Sequence, residues 1–346
     1  MNKGSLSINL DQQLDSSLVQ QAIEQIKAAQ RIAILAHERP DGDCLGSALG
    51  LSHILHTIEE KQCVPVCADM PGSTWDFMPG IETFQTSLGD ERFDLIIALD
   101  AGELERFGSV AQQHRDFLAR VPIINIDHHI SSQGCGQVNI IDPTAAATAE
   151  LLVLFQQQAG LPLPAAAAAC LMTGLMTDTG SFQYSSTTPR TMEASALLIQ
   201  AGANPEAIAQ PVFRTRSLTL ARFQSAVINN ARTGRDGRLL WSYATAETLR
   251  ASGATADMED NFSGMLRDIE GVKIAAFFKN YDNTAQTRLS LRTAAPYDAA
   301  AICARYGGGG HARAAGATVM LPLEDAMARV VKDLEAELDH HAAGAH

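Results

Sequence analysis

Positive charge is scarce in this chain of 346 residues: 26 Lys and Arg stand against 39 Asp and Glu, for a formal net charge of −13. Proteins that wrap long nucleic acid need a basic surface to displace counterions from many phosphates, so long duplex partners are excluded. Long uncharged apolar runs are also missing. None approaches the roughly 18 residues of a membrane span, and Met1-Asn-Lys-Gly-Ser-Leu-Ser7 lacks the apolar centre of a secretion signal, so a soluble, cytoplasmic protein without a membrane partner is expected. The six cysteines give no disulfide framework in a chain this long, and the one close pair, Cys63 and Cys67, has no second pair to complete a zinc site. No G-x-G-x-x-G follows the first apolar run, which removes a dinucleotide-binding oxidoreductase.

What is present begins at Arg31-Ile-Ala-Ile-Leu-Ala-His37-Glu-Arg-Pro-Asp41-Gly-Asp43. Ile32, Ile34 and Leu35 read as a buried strand, and His37, Asp41 and Asp43 follow at its carboxyl end, where open α/β sheets bind ligands. One imidazole and two carboxylates suit a hard or borderline divalent cation, Mn²⁺ or Mg²⁺. Two further apolar runs repeat the pattern: Asp94 to Asp100 ends in a carboxylate, and Val121 to Ile126 ends in Asp127-His128-His129. Helices are expected over residues 17–29, from Leu45 to Ile58 with Gly46 and Ser47 at an amino end able to receive an anion, from Thr144 to Gln158, from Pro164 to Met176 and from Arg190 to Ala201. Asp178 follows the fourth of these in a loop as another carboxylate. A hydrophobic content of 46% argues against disorder, and the length fits two domains.

Beyond Pro205 and Pro211 the order of elements changes. Asp236-Gly237 before Leu239 to Tyr243 is a hairpin signal, and Val272 to Lys279 and Thr287 to Arg292 are strands joined through Tyr281 to Thr284. Residues 206–292 carry 12 Lys or Arg against 9 Asp or Glu, reversing the sign of the whole chain. In the second of those strands Leu289 and Leu291 alternate with Arg288, Ser290 and Arg292, giving one apolar face and one able to hold an anion. The glycine loop Gly307-Gly308-Gly309-Gly310-His311 permits close backbone approach to a ligand, with His311 as donor or proton source for a phosphate. A last helix is expected from Leu323 to Leu338, with Asp339-His340-His341 beyond it as a dispensable look-alike of the first Asp-His-His.

With His37, Asp41, Asp43, Asp100, Asp127-His128-His129, Asp178 and the Gly-Gly-Gly-His311 loop in this order, the sequence resembles the DHH/DHHA1 phosphoesterase family, in its nanoRNase-type branch of bifunctional oligoribonucleases and 3'-phosphoadenosine 5'-phosphate (pAp) phosphatases. The resemblance implies an α/β fold: an N-terminal DHH domain with a mainly parallel sheet flanked by helices over residues 1–204, a helical linker over 205–224, a smaller α/β DHHA1 domain over 225–340 and a flexible tail over 341–346, with the active site in the inter-domain cleft. It implies two Mn²⁺ ions per chain, Mg²⁺ substituting, one held by His37, Asp41 and Asp100 and the other by Asp43, Asp100, His128 and Asp178. His129 would face the phosphate, Asp127 would orient a ligand histidine, and Arg288, Ser290, Arg292, Gly308, Gly309, Gly310 and His311 would grip substrate. The expected partners are short RNA oligonucleotides and small nucleotides, with a homodimer left open. Cleavage of cyclic or linear dinucleotides, and a nucleotide-binding regulator without catalysis, are the alternatives. Arg39 stands where the family commonly has Asn, and Ser131-Ser132 where an Asn follows the Asp-His-His; neither replaces a cation ligand.

Overall fold

The computed structural model describes residues 13–343 except 59–60, 91, 257, 259–260 and 283–284. The first residues, read above for a secretion signal, residues 344–346 of the expected tail, and Asn283 and Thr284 of the expected strand connection lie outside the described residues. The chain divides into two compact units, the first ending at Thr215 and the second beginning at Arg216.

The first unit opens with α1 (Ser16–Ala28), whose cap residue Asp15 accepts hydrogen bonds from the Ser17 and Leu18 amides. There follow β1 (Arg31–Ala36), α2 (Gly42–Leu55), β2 (Gln62–Cys67), β3 (Leu95–Leu99), α3 (Gly108–Gln113), α4 (Arg115–Leu118), β4 (Ile123–Asp127) and β5 (Val138–Ile141). The unit ends in α5 (Thr148–Gln158), α6 (Ala165–Asp178), α7 (Pro189–Gln200) and α8 (Pro205–Ala209). All five strands are parallel, in the order β2-β1-β3-β4-β5. Every residue of β3 and β4 is buried, because alternate side chains enter two cores: Ile32, Ile34, Ile97 and Leu99 pack on the side of α2, α5 and α6, and Ala33, Leu35, Ile96 and Ala98 on the side of Phe107 and Val110.

Three details of this unit differ from expectation. Helix α2 starts at Gly42 with Asp41 as its cap, so Gly46 and Ser47 lie fully inside the second turn rather than at an open amino end, and they offer no anion site. Gly46 is there for packing: a Cβ on it would stand 2.4 Å from the Cys170 carbonyl of α6. Strand β5 was not expected, since only four residues between Gly136 and Asp142 carry its alternating pattern. Helix α5 begins at Thr148 instead of Thr144 because Asp142 Oδ1 accepts from both the amide (2.9 Å) and the hydroxyl (2.6 Å) of Thr144, which turns the chain before the helix can start.

The second unit contains α9 (Leu218–Asn229), β6 (Arg232–Gly234), β7 (Leu239–Thr245), α10 (Ala246–Ser252), α11 (Phe262–Arg267), β8 (Ile274–Asn280), β9 (Thr287–Thr293), α12 (Ala299–Ala304), β10 (Gly309–His311), β11 (Ala314–Val319) and α13 (Leu323–Ala343). Its six strands form a mixed sheet in the order β10-β11-β9-β8-β7-β6, antiparallel except between β7 and β8. Phe223 and Val227 of α9 sit in one core of this unit with Phe262 and Phe277; Leu289 and Leu291 sit in the other with α12 and α13.

The glycine run is not a free loop. Gly309 to His311 pair with Ala314 to Gly316 as an edge strand, and a Cβ on Gly308 would lie 2.1 Å from the Gly316 carbonyl and one on Gly310 2.6 Å from the Ala314 carbonyl. Those two glycines are required by the chain's own approach to β11; Gly307 and Gly309 face open space. The second Asp-His-His also differs from expectation: it continues α13. Asp339 pairs with Arg235 at 2.8 Å, and the His341 ring meets Tyr297 edge-on at 5.0 Å.

Candidate cation centre

Adjacent strands lie about 4.8 Å apart, so residues just past the carboxyl ends of neighbouring parallel strands fall within side-chain reach of one another. β1, β3 and β4 are such neighbours, and they deliver His37, Asp100 and His128-His129 to one edge at the point where strand order reverses. Asp100 turns into the group by adopting a left-handed backbone (φ 61°), which Asp tolerates better than most residues. Asp41 arrives as the cap of α2 and Asp43 from its first turn, and Asp178 is the last residue of α6 rather than a loop residue. Gly174, one turn earlier on α6, leaves room for the Asp43 carboxylate: a Cβ there would stand 2.5 Å from Asp43 Oδ1.

Asp100 is the centre of the arrangement. Its Oδ2 lies 3.5 Å from His37 Nε2, and its Oδ1 lies 3.5 Å from His128 Nε2. On the first side, His37 Nε2 is 3.9 Å from Asp41 Oδ1; on the second, His128 Nε2 is 3.3 Å from Asp178 Oδ2 and 4.0 Å from Asp43 Oδ2. Donor atoms sharing one cation at about 2.0–2.3 Å stand roughly 3–4 Å from each other, so these spacings suit two cations with Asp100 between them. The hydrogen bonds agree. His37 Nδ1 faces the Glu38 carbonyl at 2.9 Å and His128 Nδ1 faces the Ala145 carbonyl at 3.3 Å. A carbonyl only accepts, so each Nδ1 carries a proton and each Nε2 is the atom left to offer a cation its lone pair. His128 Nε2 is buried without a hydrogen-bond partner, the signature of an atom placed for a ligand.

Electrostatics make the same point. Burial, followed by the charges of Asp100 and Asp178, raises Asp41 and lifts Asp43 well above the usual carboxylate range. Burial pulls His128 down, but Asp178, Asp43 and Asp100 overcome it and hold the imidazole at about 10. His37 is likewise raised against its burial, first by its hydrogen bond to Asp100. Without cations, protons must neutralise the group; divalent ions fit that excess of negative charge. Cys44 Sγ also lies within 4.8 Å of ligand atoms of His37 and Asp100, but it accepts the His37 amide at 3.0 Å, and burial keeps it a neutral thiol.

Asp127 holds His129 rather than His128: His129 Nδ1 donates to Asp127 Oδ1 at 2.7 Å. That bond raises the His129 pKa. The Asp127 carboxyl is held below its usual value, with burial opposed chiefly by the same bond. Sequence reading missed the segment that braces the cluster. Thr148 and Ala149 donate their amides to Asp43 at 2.6 and 3.0 Å, and the Thr148 hydroxyl donates to Asp100 at 2.9 Å. These contacts involve backbone groups and one threonine, which no side-chain motif announces.

In the second unit, Ser290, Arg292, Gly309 and Gly310 line one cavity of about 480 Å³ together with Asn261, Ser263, Phe262, Phe277 and Gly316. Arg288 lines a separate cavity of about 420 Å³ with Lys279 and Thr318, because four residues along a strand span about 13 Å. Gly308 and His311 line neither, and His311 is exposed at the end of β10.

A parallel α/β sheet carrying an imidazole and carboxylate centre for divalent cations at its carboxyl edge defines a metallohydrolase class of site. The chain belongs to the DHH/DHHA1 phosphoesterase family: the DHH family, N-terminal domain, matches residues 31–175, and the DHHA1 domain matches residues 241–339. A Thermus thermophilus protein named bifunctional oligoribonuclease and PAP phosphatase NrnA is 31% identical over 320 residues, covering 91% of this chain and 93% of its own length. A Bacillus subtilis protein of the same name is 26% identical over 325 residues, covering 92% and 98%. An exopolyphosphatase-related protein from Bacteroides fragilis shares the fold, with a TM-score of 0.83, 23% identity and coverage of 95% of this chain and 97% of the other. Among the described residues, no helix is long and apolar enough to cross a membrane.

Proposed function

We propose that this chain degrades short oligoribonucleotides to mononucleotides and dephosphorylates pAp to AMP in the cytoplasm, using Mn²⁺, with Mg²⁺ as a substitute. The observation that carries the proposal is the cluster around Asp100, whose two oxygens each lie 3.5 Å from a different imidazole Nε2, His37 on one side and His128 on the other, with Asp41, Asp43 and Asp178 3.3–4.0 Å from those same nitrogens. His37, Asp41 and Asp100 would hold one cation, and Asp43, Asp100, His128 and Asp178 the other. When bound, such ions lower the pKa of the attacking water and neutralise charge on the leaving oxygen. The protein's own groups do the rest. The His129 imidazole, charged more readily because Asp127 accepts its Nδ1 proton, donates from Nε2 to a phosphate oxygen. Water's oxygen joins phosphorus, the phosphorus–oxygen bond to the leaving nucleoside breaks, and a proton ends on the departing hydroxyl. Arg292 and Ser290, beside Gly309 and Gly310, grip the substrate's second phosphate or base, which favours short anionic substrates without a long basic groove.

The names of the Thermus thermophilus and Bacillus subtilis relatives support the substrate assignment. The test is to incubate the protein with Mn²⁺ and RNAs of two to five nucleotides, pAp and a cyclic dinucleotide, and to rank kcat/KM. Short RNA and pAp are expected to lead; a cyclic dinucleotide in first place would transfer the assignment to that substrate class.

A further inference from the structure

The segment from Asp142 to Ala149 supplies no ligand atom to the proposed cations, yet it touches three residues that would. Its Ala145 carbonyl faces His128 Nδ1, its Thr148 and Ala149 amides hold Asp43, and its Thr148 hydroxyl holds Asp100. The segment is itself held from outside. Arg190, in the first turn of α7, sends Nε to Glu150 Oε1 at 2.5 Å and Nη1 to Asp142 Oδ2 at 2.8 Å, with Nη2 3.4 Å from the Thr144 hydroxyl. The two carboxylates mark the segment's ends, Asp142 opening it and Glu150 following directly after it. Glu150 is fully buried and its second oxygen accepts from the Thr191 hydroxyl at 2.7 Å.

We propose that Arg190 is a positioning residue that clamps the two ends of the 142–150 segment, so that its carbonyl and amides present His128, Asp43 and Asp100 in cation-ready geometry. This inference rests on the cation centre proposed above. A buried ion pair is poor evidence for stability alone, because well-packed apolar replacements are often neutral or better. What a guanidinium supplies here is shape: a planar fork reaches two carboxylates on different sides at once, and the ammonium of lysine cannot. Asp142 and Thr144 lie on the strand-to-helix connection that braces the centre, and Glu150 lies in the first turn of the helix that follows it.

Arg190→Lys keeps the charge opposite Glu150 and removes the fork. The expected result is a protein whose melting temperature changes by only a few degrees but whose Mn²⁺ binding, read by electron paramagnetic resonance, weakens about 10- to 100-fold. Saturating Mn²⁺ should restore kcat, with KM for substrate unchanged. In the cation-free protein, amide hydrogen exchange at Thr148 and Ala149 should accelerate while β1 and β3 stay protected. Wild-type Mn²⁺ affinity together with wild-type exchange at Thr148 and Ala149 would overturn the clamp, as would equal acceleration across the whole sheet. If the lysine variant does not fold, the double change Arg190→Met with Glu150→Gln removes both buried charges, and the same two readings decide. If the wild-type protein binds no Mn²⁺, the cation reading fails by itself, and exchange in the cation-free protein still decides whether Arg190 fastens the segment.

Discussion

Replacing Arg292 by alanine separates binding from chemistry. Arg292 stands on β9 with Ser290 on the same face, while Leu289 and Leu291 on the opposite face anchor the strand in the core of the second unit. The substitution therefore removes a cavity-lining guanidinium and leaves the apolar face of the strand in place, and the fold should lose no more than about 1 kcal/mol. The cavity of about 480 Å³ falls in the size range of small-ligand sites, and its glycines leave the backbone approachable beside the cation of Arg292. A charge-assisted hydrogen bond to a phosphate contributes about 1.5–3 kcal/mol, which corresponds to a loss of roughly 10- to 150-fold in kcat/KM for a dinucleotide. Bis(p-nitrophenyl) phosphate is small and activated, engages only the cation centre, and should be hydrolysed at nearly the wild-type rate. The assay compares both substrates at saturating Mn²⁺. Equal loss on the two substrates would refute the division of labour and place Arg292 in the chemical step.

Asp100→Asn preserves shape and the left-handed backbone, which Asn also tolerates, but it withdraws the shared carboxylate; activity should fall by at least about 100-fold and bound Mn²⁺, measured by mass spectrometry, should drop below the wild-type count. Because His37 is raised and His128 is held at about 10, cations must displace protons, so the Mn²⁺ affinity should climb from pH 6 to pH 9 in titration calorimetry. The sign for stability is opposite: the His128 contribution is present below its ordinary value near 6.5 and lost as pH rises through about 10, and the raised Asp43 acts in the same sense, so chelator-treated protein should melt lower at pH 9.5 than at pH 7. A chain ending at Leu338 loses the exposed Asp339–Arg235 pair and the His341–Tyr297 ring contact, so it should be about 1–2 kcal/mol less stable by urea unfolding yet keep its kcat.

The parallel sheet and its ligand edge were legible because buried strands such as Ile32 to Ala36 and Leu95 to Leu99 are continuous apolar runs that end in His or Asp. The pairing partner of each histidine was not. Asp127 precedes both His128 and His129, and only the folded chain shows that it accepts from His129 while a carbonyl faces His128. Backbone donors were equally invisible: Thr148 and Ala149 lie 105 and 106 positions from Asp43, and an amide has no signature of its own. Arg190 in Thr-Thr-Pro-Arg-Thr looked like part of an ordinary helix start. The glycine run misled for a different reason, since the closeness that glycine permits at Gly308 and Gly310 is taken up by the neighbouring strand of the same chain. Asp339-His340-His341 continued the helix because nothing after Leu338 breaks it.

The most direct test strips the protein with a chelator and follows AMP release from pAp and from a 5'-phosphorylated adenylyl dinucleotide as Mn²⁺ is restored. Hydrolysis of both substrates should be absent in the stripped protein and should return in step with the binding of two ions per chain. Undiminished turnover in excess chelator, or no turnover of either substrate with both ions bound, would contradict a cation-dependent phosphoesterase centred on Asp100.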